Sequence, residues 1–230
     1  MNFAIASAIY FWNDAEMLPI FALAITVSNP PVYFLQQEIQ APITEKKEVA
    51  VADAVPSVPF YSQFRDITSA KWQKVGCGVA SLAMVIDFYK PHTVSVNALL
   101  NEGIKAGAYL NNAGWTYKGL IQISKPYGLD GKSFDLGKLS KDAAFAQFKE
   151  HLSEGPVIAS VHYKFDPKST IPHLVVIDGI RDGIVYYNDP AAKTGGLQIS
   201  TADFLKAWKK RFIVVRPTET EGNTKVAFAK

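Results

Sequence analysis

Residues 79–89, VASLAMVIDFY, are apolar at almost every position. A helix without a polar face is buried all round, so this segment predicts the centre of the fold. Other segments are one-sided. Ser95 can cap a helix over 96–104, and WTYKGLIQISK at 115–125 reads as a helix stopped by Pro126 and Gly128. Ser140 can cap an amphipathic helix over 141–153, with Ala144, Phe145, Phe148 and Leu152 on one side and Gly155-Pro156 behind it. Next come β-rich runs at 157–163, 173–179 and 184–188. The last two are joined by Ile180-Arg181-Asp182-Gly183, a good hairpin turn. A short strand at 197–199, a helix over 203–209 capped by Ser200 or Thr201, and a strand at 212–215 complete the pattern. Helices first and antiparallel strands later predict an α+β domain, expected to span 58–217.

The pattern differs outside that span. Residues 1–35 hold two apolar stretches, 3–12 and 17–27, separated by Asn13-Asp14-Ala15-Glu16. Neither reaches the roughly 18–20 residues of a spanning helix. No Lys or Arg precedes them, unlike an ordinary secretory signal. The segment is read as an atypical signal or anchor, which implies membrane association and an extracytoplasmic or membrane-bound location. An apolar arm packed on the domain is the alternative. Residues 36–57 read as a linker and 218–230 as a polar tail.

The chain has 230 residues, a formal charge of +3 and one cysteine. A single cysteine excludes an internal disulfide and a Cys-rich zinc site. The one tight basic cluster, Lys209-Lys210-Arg211, reads as the solvated end of the 203–209 helix, so no nucleic-acid partner is expected.

Cys77 stands in Gly76-Cys77-Gly78, directly before the buried helix. Flanking glycines would let the backbone bend into the helix and place the sulfur at its N-terminus, where unpaired N–H groups favour an anion. A thiolate nucleophile needs a base, and there are four histidines. His92 follows Pro91 in a connection, His151 sits in the last turn of a surface helix, and His162 lies near a strand end. His173 opens the strand HLVVIDG, and the hairpin turn sets an expected register in which it faces Asp189 or Pro190. Cross-strand Cβ atoms lie roughly 5 Å apart, so Asp189 could accept the Nδ1–H and aim the other ring nitrogen at the thiolate. A side-chain amide from Gln63 or Gln73, with the Cys77 backbone N–H, could stabilise an oxyanion.

Together these segments resemble the C39-like peptidases, a branch of the papain-like cysteine peptidases. The likeness covers about 58–215. It rests on VPFYSQ, the CGVASLAMVIDFY helix, the GPVIASV strand, HLVVIDG followed by NDP, and a closing FLKAW helix plus strand. The resemblance implies a papain-like α+β fold, with the nucleophile on a buried central helix packed on a C-terminal antiparallel sheet. It implies Cys77 as nucleophile, His173 as general base and acid, Asp189 as its orienting residue and Gln63 as oxyanion donor. The stretch from Gln63 to Cys77 is long for the family, which keeps Gln73 open. The implied activity is thiol-dependent hydrolysis of a peptide or amide bond in a peptide or protein substrate, with no metal or cofactor. Strict C39 proteins precede an ABC transporter and cut leader peptides after a double glycine; no nucleotide-binding loop occurs here, so the stand-alone type is expected. The alternatives are a related amidase or acyltransferase, and a non-catalytic peptide-binding module.

Overall fold

The computed structural model describes residues 55–111 and 114–218. The expectations for 1–35, for 36–54 and for the tail beyond 218 lie outside the described residues.

The all-apolar segment forms the central helix. After a single turn, α1 (Ala70–Gln73), α2 runs from Cys77 to Tyr89 with every residue from Gly78 to Asp87 buried. Helix α3 (Val96–Lys105) starts at Ser95, whose hydroxyl accepts from Ala98 N. A two-strand ribbon follows, β1 (Tyr109–Leu110) with β2 (Gly114–Trp115), and then α4 (Tyr117–Ser124). Trp115 therefore lies outside the helix predicted from it. Thr116 is the N-cap instead, accepting from Gly119 N at 3.1 Å. The indole is the reason: it is 7% exposed, it donates from Nε1 to Val75 O at 2.7 Å, and its ring lies against Gly78 and Gly103.

The remaining chain is β3 (Leu129–Asp135), α5 (Lys141–Ser153), β4 (Val157–His162), β5 (Pro172–Arg181), β6 (Ile184–Asn188), β7 (Leu197–Ser200), α6 (Thr201–Ala207) and β8 (Trp208–Pro217). Six of the strands form one antiparallel sheet in the order β3-β8-β4-β5-β6-β7. Alternate residues of its strands face two cores. Ile158, Leu174, Val176, Ile213 and Val215 pack with α2, α3 and α4. Val157, Ala159, Val175, Ile177, Phe212 and Val214 pack with Phe148 of α5 and Phe204 of α6.

Two readings of the C-terminal part need correction. Helix α6 ends at Ala207, not 209, because buried Trp208 pairs with Val161 and draws the chain into β8. Lys209, Lys210 and Arg211 are therefore strand residues, not a solvated helix end. Strand β3 was not predicted at all. It pairs only with β8, and most of LDGKSFD is exposed, so it carries no alternating apolar signal.

Candidate active site

Cys77 begins α2, and the first N–H groups of a helix have no partner within it. The glycines beside it serve close packing, not the expected sharp bend. Gly76 has φ −81°, open to any residue, but a Cβ there would overlap Ile67 Cδ1. A Cβ on Gly78 would stand 2.9 Å from Trp115 Cβ. Helix α2 is thus pressed between these side chains, and the sulfur emerges half-buried at its tip.

One turn along, Ser81 shares the helix face of Cys77 and donates from its buried hydroxyl to Leu174 O at 3.2 Å. That bond ties α2 to β5 next to His173, a tie the sequence reading missed. The i, i+4 spacing of a hydroxyl from the cysteine was the available signal.

His173 lies opposite Val161 in the β4–β5 ladder. Its imidazole is 4% exposed, and Nε2 is 2.6 Å from Asp189 Oδ1. The expected ring orientation is therefore reversed. Nε2 faces the carboxylate, which leaves the Nδ1 edge free of it, and Cys77 is near enough to raise the pKa of the ring. The expected register also differs. The β5–β6 ladder shifts at a bulge between Ile177 and Gly179 and ends at Val176–Asn188, so Asp189 reaches His173 from beyond the last rung. Asp189 Oδ1 also accepts from Ala191 N at 2.7 Å, which fixes the carboxylate in the turn after β6. Tyr163 stands edge-on to the imidazole, with ring centroids 5.2 Å apart. Burial pulls the His173 pKa down, but the bonds to Asp189 and Cys77 and their negative charge outweigh it and carry the pKa up to about 9.

The two glutamines have separate places. Gln63 is 4% exposed and lines the cleft with Cys77 and His173. Its Nε2 donates to Gln73 O at 2.7 Å, and its backbone N–H donates to Pro190 O at 2.8 Å. A primary amide has two protons, so one remains. Gln73 turns its own amide to Ile67 O at 2.8 Å and does not line the cleft. Of the other histidines, His162 holds Ser169 O at 2.6 Å through Nδ1, and His151 lies against Phe134 and Phe212.

The cleft measures about 780 Å³. The ribbon residues Tyr109, Asn111 and Trp115, the rim residues Phe64 and Ile171, and Lys74, Lys209 and Arg211 all border it.

The sequence model of the Peptidase_C39 like family matches residues 55–213, and the chain belongs to that family. The fold is the papain-like one of C39-like peptidases. A C39-like peptidase from Bacillus anthracis superposes with a TM-score of 0.51 at 21% identity, over 71% of this chain and 96% of that one. A double glycine motif protease from an AMS/PCAT transporter, solved with its leader peptide, is 24% identical over 70% of this chain and 93% of that one (TM-score 0.49). The peptidase domain of Streptococcus ComA is 20% identical over 63% and 93% respectively, with a TM-score of 0.48. A search of curated proteins finds no significant match.

Proposed function

We propose that this protein is a thiol-dependent peptidase in which Cys77, His173 and Asp189 act together and Gln63 stabilises the oxyanion. What chiefly supports the reading is one constellation: a buried imidazole bonded to Asp189 at 2.6 Å that lines one cleft with Gln63 and with the only cysteine of the chain, whose charge it feels. The Cys77 thiolate attacks the carbonyl carbon of the scissile amide. The Gln63 Nε2 proton not bound to Gln73 and the Cys77 N–H hold the resulting oxyanion. The His173 imidazolium gives its proton to the departing amine as the C–N bond breaks, which leaves a thioester on Cys77. Neutral His173 then takes a proton from water, whose oxygen attacks the thioester, and the carboxylic acid leaves as the thiolate returns.

The full chain is expected to react quickly with iodoacetamide at neutral pH, and His173→Ala to slow both labelling and peptide turnover, turnover by up to about 10⁴-fold. Equal labelling rates for the two proteins overturn the reading. Because His173 holds its proton up to about pH 9, turnover should fall as pH rises through that value, when the acid needed by the leaving amine is lost.

A further inference from the structure

The strands that carry the cleft also carry its charge. Leu174 of β5, Ser160 of β4 and Arg211 of β8 are in register across the sheet, and all three line the cleft. Arg211 therefore stands two strand spacings from the strand of His173, about 10 Å away and on the side opposite β6 and Asp189. Lys209 lies two residues along the same strand, and Lys74 borders the cleft from the segment before α2. Among the described residues, no Asp or Glu lines the cleft.

These cations are incompletely neutralised. Arg211 meets Asp135 of β3, but only through Nε, at 2.9 Å; its terminal nitrogens have no protein partner among the described residues. Neither Lys209 nor Lys74 makes an ion pair among the described residues. Partial burial, and then the charge of Arg211, pull the Lys209 pKa down. Polar groups beside them are already oriented. The Tyr117 phenol lines the cleft with Ser160 and feels Arg211 and Cys77.

We propose that the β8 end of this cleft is a carboxylate-binding subsite formed by Lys209 and Arg211 with Lys74, so that the substrate is a peptide bearing an acidic group about three residues from the bond attacked by Cys77. The spacing takes the backbone separation of β5 and β8, about 10 Å, as the span from that bond to the anion, at about 3.3 Å per extended residue. The carboxylate can belong to an Asp or Glu side chain or to the peptide's C-terminus. The inference rests on the peptidase reading above for the position of the scissile bond; the charge preference of the cleft does not need that reading.

Two measurements separate the claims. Wild-type full chain is assayed with a positional-scanning peptide library carrying Glu, Gln or Lys at each position, with free-acid and amide C-termini. Full-chain Cys77→Ala is titrated with the same peptides, fluorescein-labelled, at low salt. Glu at one position is expected to exceed Gln about tenfold in kcat/KM and in affinity, with Lys weaker still. If the amide C-terminus alone removes the preference, the terminal carboxylate is the group bound. In Lys209→Glu the Glu-to-Lys ratio should invert; a ratio measured within one protein is indifferent to the folded fraction. Cleavage without any charge preference overturns the subsite and leaves the peptidase reading standing. Charge-selective binding to Cys77→Ala without cleavage by wild type keeps the subsite and overturns the peptidase reading. Equal affinity for Glu, Gln and Lys peptides, or an unchanged ratio in Lys209→Glu, overturns the subsite.

Discussion

The two walls of the cleft are built by different physics. The helical wall, which carries Cys77, is positioned by absence: Gly76 and Gly78 let Ile67 and Trp115 approach α2 where a Cβ would stand. The sheet wall, which carries His173, is positioned by polar partners. Asp189 holds the imidazole, Ala191 N holds Asp189, and buried Asn188 holds Asp178, Val58 O and Gly196 N. A wall made by packing responds to added volume, whereas a wall made by hydrogen bonds responds to lost partners and to pH.

Among tests of this comparison, the largest effect is expected where the walls meet. Gln63→Ala should lower kcat by about 10²–10³, the usual cost of one oxyanion donor, with Cys77 labelling far less affected. Gln73→Ala should cost less than about tenfold, because its contribution to Gln63 is a backbone carbonyl that the substitution keeps. Steady-state kinetics of both variants check this, and equal losses would refute the assignment of Gln63.

A middle-sized effect tests the packed wall. Gly76→Ala should destabilise by about 1–3 kcal/mol, as overpacking does. For a protein of this size that is roughly 2–4 °C of melting temperature per kcal/mol. The overlap is with Ile67 Cδ1, so Ile67→Val should recover part of the loss in the double variant. Simple addition of the two costs would show that the wall is not held by this contact.

The smallest effect tests the polar wall. Asp178 lies at the β5 bulge with Oδ2 bonded to Asn188 at 2.9 Å and Oδ1 buried without a partner among the described residues. Burial drives its pKa up to about 8, although the Asn188 bond works the other way. The unfolded group ionises near 3.9. Ionisation therefore costs stability progressively from about pH 4 to about pH 8, and the cost is full above that. Asp178→Asn keeps an acceptor for Asn188 and cannot ionise. Its melting temperature relative to wild type should rise across that interval. A difference independent of pH would mean the carboxyl is not buried as described.

What the sequence made legible follows the same division. The all-apolar run of α2 and the amphipathic run of α5 are local signals, and α5 spans Lys141–Ser153 as its Ser140 cap and 3.6-residue period predict. The hairpin turn put His173 near Asp189, although its register moved at the Asp178 bulge, which no local pattern announces. Strand β3 was invisible because it is an exposed edge. The ring orientation of His173 and the divergent fates of Gln63 and Gln73 depend on which distant carbonyls lie within reach. Spacing along a chain cannot report that. The reason for Gly76 was also misread, because a glycine needed for space looks the same in sequence as one needed for a turn.

One bond of the site depends on no side chain. The Gln63 N–H is bonded to Pro190 O, and the Gln63 amide to Gln73 O, so the segment before α2 is fastened to the turn that follows Asp189. The first of these bonds uses only atoms that nearly every amino acid supplies. Substitution can therefore drift freely along much of this seam without moving Cys77 against His173. An insertion or deletion of one residue between 63 and 77, or within 189–192, would shift the two by a full step. The alignment of the site is in this sense counted rather than spelled: it tolerates changes of letter and is intolerant of changes of length.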